Sequence, residues 1–275
     1  MNERAEQGGY VIRGGAEGKA RLRVLARVMQ PSTTSLLERI GVREGMVCLD
    51  MGAGGGGVTF LLARMVGPSG RILGVDIDEA QMELTRAEAA ELGLTNVELR
   101  TPQAGPTGDF GCYDVAYARF LLTHLPDPAA MLNVMLKALR PGGVIAVEDI
   151  DFRGHFCHPE RPSFSRFVEL YTRVVQKRGA DPHIGPKLPG LLLDAGCRDV
   201  DMSVVQPAGL TGEVKLLSAL TMENIADAVL AENLASREEI DDLVRDLYAF
   251  AADPRSVISL PRVVQAWGRR PDTPA

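Results

Sequence analysis

The sequence predicts an α/β fold, Rossmann-like and doubly wound: a mainly parallel sheet of about seven strands with helices on both faces, an antiparallel C-terminal strand and helical lid additions. Three observations carry this expectation. Short apolar runs alternate with helix-length segments between residues 46 and 148, and parallel neighbours need such crossovers. Gly67-Pro68 and Pro141-Gly142 punctuate the joints. The first apolar run opens directly into the cluster Gly52-Ala53-Gly54-Gly55-Gly56-Gly57.

The elements follow in order. Residues 20–30 carry Leu22, Leu25, Ala26 and Met29 at helical spacing. Pro31-Ser32-Thr33-Thr34 predicts a break and a fresh helix over 35–40, ended by Gly41. Strands are expected at 46–51, 71–75, 97–100, 113–118 and 144–148, with helices at 58–65, 79–92 and 128–139 between them. Beyond Asp151 the rhythm changes to helices at 164–178 and 188–195, a strand at 200–205, a mostly helical insertion at 214–252, and last strands at 257–258 and 263–267. No linker divides the chain, so residues 1–275 are expected as one domain: a helical cap (1–45), a cofactor-binding core (46–150) and a C-terminal half with lid helices and the last strands (151–275).

Composition narrows the function classes. With 45% apolar and 24% charged residues, the chain can bury a core, which excludes a disordered protein. No apolar run approaches the roughly 20 residues that span a bilayer, and the polar start MNERAEQGG lacks a secretory pattern. A cytoplasmic location without a membrane span is therefore expected. The net charge of −6 argues against a nucleic-acid surface. Cys48, Cys112, Cys157 and Cys197 form no CxxC pair and are expected to be buried free thiols.

The glycine cluster carries the chemistry. Gly52, Gly54 and Gly57 satisfy GxGxxG after a strand and before a helix. Asp76 ends the second strand, where a carboxylate can take two ribose hydroxyls. Together they point to an adenosine-containing cofactor. Asp50, just before the glycines, would repel a pyrophosphate but suits an ammonium group; its other reading is a turn former or helix cap. S-adenosylmethionine has an ammonium, a sulfonium and a ribose, and no phosphate. The alternatives are an NAD(P)-dependent oxidoreductase, which leaves Asp50 unexplained, and a protein that binds the cofactor without transferring a methyl group.

The segments VCLDMGAGGGG (47–57), GVDID (74–78), NVEL (96–99), YDVAYARFLLTHLPDP (113–128), LRPGGVIAVED (139–149) and LPGLLLDAGCRDV (188–200) resemble class I S-adenosylmethionine-dependent methyltransferases of the ubiquinone/menaquinone-methylase-like type. Tyr10, Arg21-Leu22 and PRVVQAWGRR (261–270) are similar to one small-molecule branch. The resemblance implies that Asp50, Gly52 and Gly54 face the methionine part of the cofactor and that Ala118 and Arg119 border it. It implies that Asp76 holds the ribose and Ile77 packs on adenine, with Tyr10 and Arg21 as further cofactor-side residues. Where relatives carry Gly-Asp-Ala after the third strand, this chain has Thr101-Pro102-Gln103-Ala104; the Gln103 amide oxygen can accept the adenine amino hydrogen bond instead, and a retuned loop over 101–111 is the competing reading.

The implied reaction moves a methyl group to an oxygen, nitrogen or carbon of a small organic acceptor. Placement supplies much of the rate, and a base is needed only if the nucleophile carries a proton. Among the histidines, His124 reads as structural. His155 and His158 around Cys157 lack a full ligand set, so no metal is expected. His183 is the candidate catalytic group on the acceptor side. Asp149 and Asp151, at the carboxyl edge of the fifth strand, bind substrate or cap a loop. Phe152, Phe156, Phe164, Phe167 and Tyr171 line a pocket or, as expected for most of them, pack the core. The acceptor pocket is expected between residues 10–30, 151–190 and 212–235, with Tyr10, Arg21 and His183 nearest the cofactor. A small molecule is the expected partner, and a homodimer is an open option.

Overall fold

The computed structural model describes residues 15–102 and 110–272. In chain order the elements are α1 (Gly15–Arg39), β1 (Val47–Met51), α2 (Gly57–Val66), β2 (Arg71–Val75), α3 (Glu79–Glu91), β3 (Val97–Arg100), β4 (Tyr113–Arg119), α4 (Pro128–Ala138) and β5 (Leu139–Asp151). They continue with β6 (Cys157–His158), α5 (Pro162–Lys177), α6 (Leu188–Asp194), β7 (Arg198–Val205), β8 (Ala208–Gly209), α7 (Leu217–Ala231), α8 (Arg237–Ala252), β9 (Val257–Ser259) and β10 (Arg262–Arg269).

Seven strands form one sheet in the order β3-β2-β1-β4-β5-β10-β7. The first five pair in parallel, whereas β10 runs antiparallel to both neighbours. The expected sheet, its strand number and its antiparallel C-terminal strand are all present. A separate three-stranded ribbon, β6-β9-β8, lies among the added helices.

Helices cover both faces, so the central strands read as near-continuous apolar runs. On one face α1 and α2 contribute Leu36, Leu37, Leu62 and Val66, packed on Cys48, Val115 and Ala146. On the other, α4 and α6 contribute Leu132, Met135, Leu188 and Leu192, packed on Leu49, Ala116 and Ile145. The period of two along each strand sorts the residues: 48 and 50 face α2, 49 and 51 face the opposite helices. A third core joins α1, α5, α7 and α8 through Leu25, Met29, Phe167, Met222, Ile225 and Phe250.

Three expectations need correction. Pro31 does not end a helix; α1 runs through it from 15 to 39. The proline forfeits one backbone hydrogen bond, but Leu25 and Met29 before it and Leu36 and Leu37 after it are anchored in two cores, and Ser32 Oγ donates to the Met29 carbonyl. Packing therefore outweighs propensity. The fifth strand is longer than expected at both ends: Leu139 pairs with Tyr113 of β4, so β5 begins before Pro141, and residues 149–151 gain partners from β10. Of the four free thiols, only Cys48 and Cys197 are buried; Cys112 is exposed in a turn and Cys157 is half-buried.

Candidate functional site

The glycine loop is built by its neighbours. The Gly52 and Ala53 amides both donate to the Val75 carbonyl at the end of β2, which folds the loop over the carboxyl edge of the sheet. Gly52, Gly54 and Gly56 have positive φ, a region that favours glycine. A Cβ on Gly56 would lie 2.6 Å from Phe60 Cζ, so the space there is closed as well. Thr85 of α3 donates to the Gly54 carbonyl and pins the loop from the far side.

Two carboxylates flank this loop. Asp50, at the end of β1, is buried and accepts from Thr59 Oγ1 at 2.6 Å. Burial raises its carboxyl to about 6; the Thr59 hydrogen bond and the Arg119 guanidinium oppose that rise, and Asp76 adds to it. Asp76 is half-buried. It accepts from the Gly54 amide at 2.9 Å and the Asp78 amide at 3.1 Å. Burial raises its carboxyl too, against those two amides. Ile77 beside it is 65% exposed, an apolar side chain standing open at a strand end. The donor set suits an adenosyl amino acid: a buried carboxylate for a cation, a second carboxylate at the end of the next strand, and an uncovered apolar face next to it.

Helix α1 lies directly on the loop. Leu22 Cδ1 comes within 3.5 Å of where a Gly54 Cβ would stand, and Ala26 Cβ within 2.6 Å of the same point on Gly57. Crossing contacts hold the helix there: Arg21 Nε to Thr221 of α7 at 3.0 Å, Arg23 to Glu88 of α3 at 2.9 Å, and Arg27 to Glu213. Arg21 is buried by its bond to α7. Tyr10 and Gln103 lie outside the described residues.

Sequence reasoning missed a polar row on the face beneath α1, buried at Glu148 and Gln265 and half-buried at its ends. It runs level across the sheet, since Arg119 is paired with Glu148, Glu148 with Gln265, and Gln265 with Ser203. Glu148 is fully buried. Its Oε1 accepts from Thr33 Oγ1 at 2.8 Å and from the Tyr117 hydroxyl, and its Oε2 accepts from Gln265 Nε2 at 2.8 Å. Arg119 Nη1 donates to Thr33 Oγ1 at 3.0 Å, and its Nη2 stands 3.7 Å from where a Cβ on Gly57 would sit, at the start of α2. Burial and the neighbouring Glu148 carboxylate hold the Tyr117 phenol well above its ordinary range. The available signal was parity: in the run from Val144 to Glu148, a glutamate occupies a position that faces a covered side. Ala118, the other residue expected to border the loop, is buried beside Met51 in register.

The acceptor-side candidates separate by role. Asp149 is buried and accepts from the Thr123 and Ile150 amides, which makes it a cap for the turn at residues 122–124. Burial raises its carboxyl to about 7. Asp151, also buried, accepts from Arg153 Nε at 2.8 Å and Arg262 Nη2 at 3.2 Å, with His183 Nδ1 3.4 Å from its Oδ1. Partial burial and the nearby Arg153 lower the His183 imidazole, against the Asp151 and Asp181 carboxylates. His124 is buried and neutral, with its pKa pushed down to about 3 by burial and by Arg21 and Arg178. His155 packs edge-on against Phe152, Phe164 and Phe167 and is likewise lowered to about 3 by burial. Phe152, Phe164, Phe167 and Tyr171 are core residues, whereas Phe156 is exposed. Among the described residues, no three histidine, cysteine or acidic side chains converge as a metal site, and no helix is long and apolar enough to cross a membrane.

Residues 43–176 match the family described as methyltransferase domain. A nocamycin O-methyltransferase from Saccharothrix syringae is 38% identical over 119 residues, covering 43% of this chain and 42% of that protein. A demethylmenaquinone methyltransferase from Lactococcus lactis is 31% identical over 141 residues, covering 50% and 53%. The chain thus matches about half the length of these relatives. Among solved structures, a methyltransferase-like protein from Bacillus halodurans superposes with a TM-score of 0.57 at 18% identity, covering 87% of this chain and 99% of that one. This last likeness concerns the fold.

Proposed function

We propose, from the premise that residues 43–176 belong to the methyltransferase-domain family of the class I, ubiquinone/menaquinone-methylase-like branch, that this chain transfers a methyl group from S-adenosylmethionine to a small organic acceptor. The observation that carries the reading is the pair Asp50 and Asp76, set on either side of a glycine loop that Asp76 itself holds through the Gly54 amide. When bound, S-adenosylmethionine supplies an electrophilic methyl group on a cationic sulfur. Asp50 would hold the ammonium, Gly52 and Gly54 would leave room for the methionine part, and Arg119 would face its carboxylate. Asp76 would take the ribose hydroxyls and Ile77 the adenine.

The chain's own work is placement and exclusion of water. Helix α1 closes the loop side, and α5 and α7 join it in one core near the carboxyl edge of the sheet. This supports an acceptor pocket bounded by α1, the segment after β5 and α7. His183, 3.4 Å from Asp151, is the proposed acceptor-side polar group. A nicotinamide dinucleotide fits less well, because its pyrophosphate would meet the Asp50 carboxylate. Calorimetry with S-adenosylmethionine, S-adenosylhomocysteine and NAD tests the reading. Micromolar binding of the first two and none of NAD is expected; no heat and no thermal shift from either at millimolar concentration overturns it.

A further inference from the structure

The polar row beneath α1 is costly to bury, and an apolar row of similar shape would serve stability as well or better. Its hydrogen bonds are directional. The Thr33 hydroxyl has one proton, which goes to Glu148 Oε1, so a lone pair is left to receive Arg119. Tyr117 and Gln265 fix the Glu148 carboxylate from two further sides. The guanidinium held this way lies at the start of α2 and within electrostatic reach of Asp50. A carboxylate placed there meets both a fixed guanidinium and a helix N-terminus.

We infer that Thr33 is a positioning residue: relayed from Glu148, its hydroxyl aims Arg119 at the amino-acid end of the cofactor, and because Thr33 belongs to α1 it ties that aim to the seating of the cap. This rests on the cofactor reading above. The nucleoside end, at Asp76 and Ile77, lies across the loop and takes no part in the relay.

Two ligands separate the ends. S-adenosylhomocysteine carries the amino acid; 5′-methylthioadenosine lacks it. Calorimetry on the full chain is expected to show that Thr33→Val weakens S-adenosylhomocysteine about tenfold, the scale of one hydrogen bond to a charged group, and leaves 5′-methylthioadenosine unchanged. Thr33→Ser, which restores the hydroxyl, should restore the affinity. Tyr117→Phe removes one of the donors that fix the same carboxylate; it should weaken S-adenosylhomocysteine in the same direction but by less than Thr33→Val, again leaving 5′-methylthioadenosine unchanged. If Thr33→Val does not fold, Thr33→Cys, of similar size and a weak hydrogen-bonding group, takes its place. Equal weakening of both ligands, or none, overturns the positioning role while the cofactor reading stands. Failure of the wild type to bind either ligand overturns the cofactor reading and this inference with it.

Discussion

Asp50 and Asp76 are both carboxylates raised by burial, yet their surroundings suit different partners. Asp76 already receives two backbone amides and keeps acceptor capacity for ribose hydroxyls. Hydrogen bonds to a charged acceptor are worth about 1.5–3 kcal/mol, so Asp76→Ala should weaken S-adenosylhomocysteine at least about tenfold, measured by calorimetry, with the circular dichroism unchanged. Asp50 ionises only near pH 6, and a cation is attracted to the ionised form alone. Affinity for S-adenosylhomocysteine should therefore rise about tenfold from pH 5 to pH 7. Asp50→Asn should abolish that rise, and a flat profile in the wild type would remove Asp50 from the ammonium site. Both residues were legible in the sequence, because a strand, a glycine cluster and a second strand fix where they stand. Thr33 and Glu148 were not: each looks ordinary until the sheet register sets Glu148 level with Arg119 and the packing of α1 brings Thr33 onto both, and both are long-range information.

At the scale of elements, α1 and the loop meet with no clearance. The Ala26 Cβ lies 2.6 Å from the point where a Gly57 side chain would begin. Gly57 has no positive φ, so its replacement is limited by space alone. Gly57→Ala should push α1 off the loop and destabilise the protein by about 1–3 kcal/mol, the range for overpacking. Adding Ala26→Gly should return much of that loss, less the cost of a glycine within a helix. Urea unfolding of the two single variants and the double variant measures the coupling, and strict additivity would show that the contact is soft. The same helix marks the limit of local reading. Apolar spacing identified residues 20–30 correctly, but Pro31 signalled a stop that two separate cores override. Strand limits failed for a related reason: residues 149–151 extend β5 only because β10, more than 100 residues later, lies alongside.

For the whole molecule, buried titratable groups set the response to pH. Asp149 has a folded-state pKa raised to about 7. Its contribution to stability is complete below the unfolded value near 4 and is lost as pH rises through 7. His124 and His155, lowered to about 3, act in the opposite sense: their contribution is present above about 6.5 and is lost as pH falls. Between pH 6 and pH 8 the loss from Asp149, about 1 kcal/mol, is met by a gain of similar size from the two histidines, so the melting temperature of the wild type should change little across that range. Asp149→Asn keeps a side-chain acceptor for the Thr123 amide and removes that loss alone, so the melting temperature of the variant should rise from pH 6 to pH 8 relative to the wild type by roughly 2–4 °C; parallel profiles would assign the titration to other groups. Fold class, strand number and the antiparallel last strand were readable from the alternation of elements. This buried titration was not, since it depends on which side chains the completed sheet and its helices seal from water.

The placement of β10 has a consequence for how the molecule is made. This strand lies between β5 and β7, both of which leave the ribosome before it does. A nascent chain halted ahead of residue 262 must hold those two apart, each offering an unpaired edge that invites pairing with other chains. It also lacks Gln265, one of the donors that orient Glu148. The floor under α1 is thus completed by a late insertion into the middle of the sheet, and binding of the adenosyl ligand should emerge during synthesis as a single late event instead of growing with chain length. Translation-arrested chains ending before and after β10, probed for retention of S-adenosylhomocysteine, would show when the site comes into being.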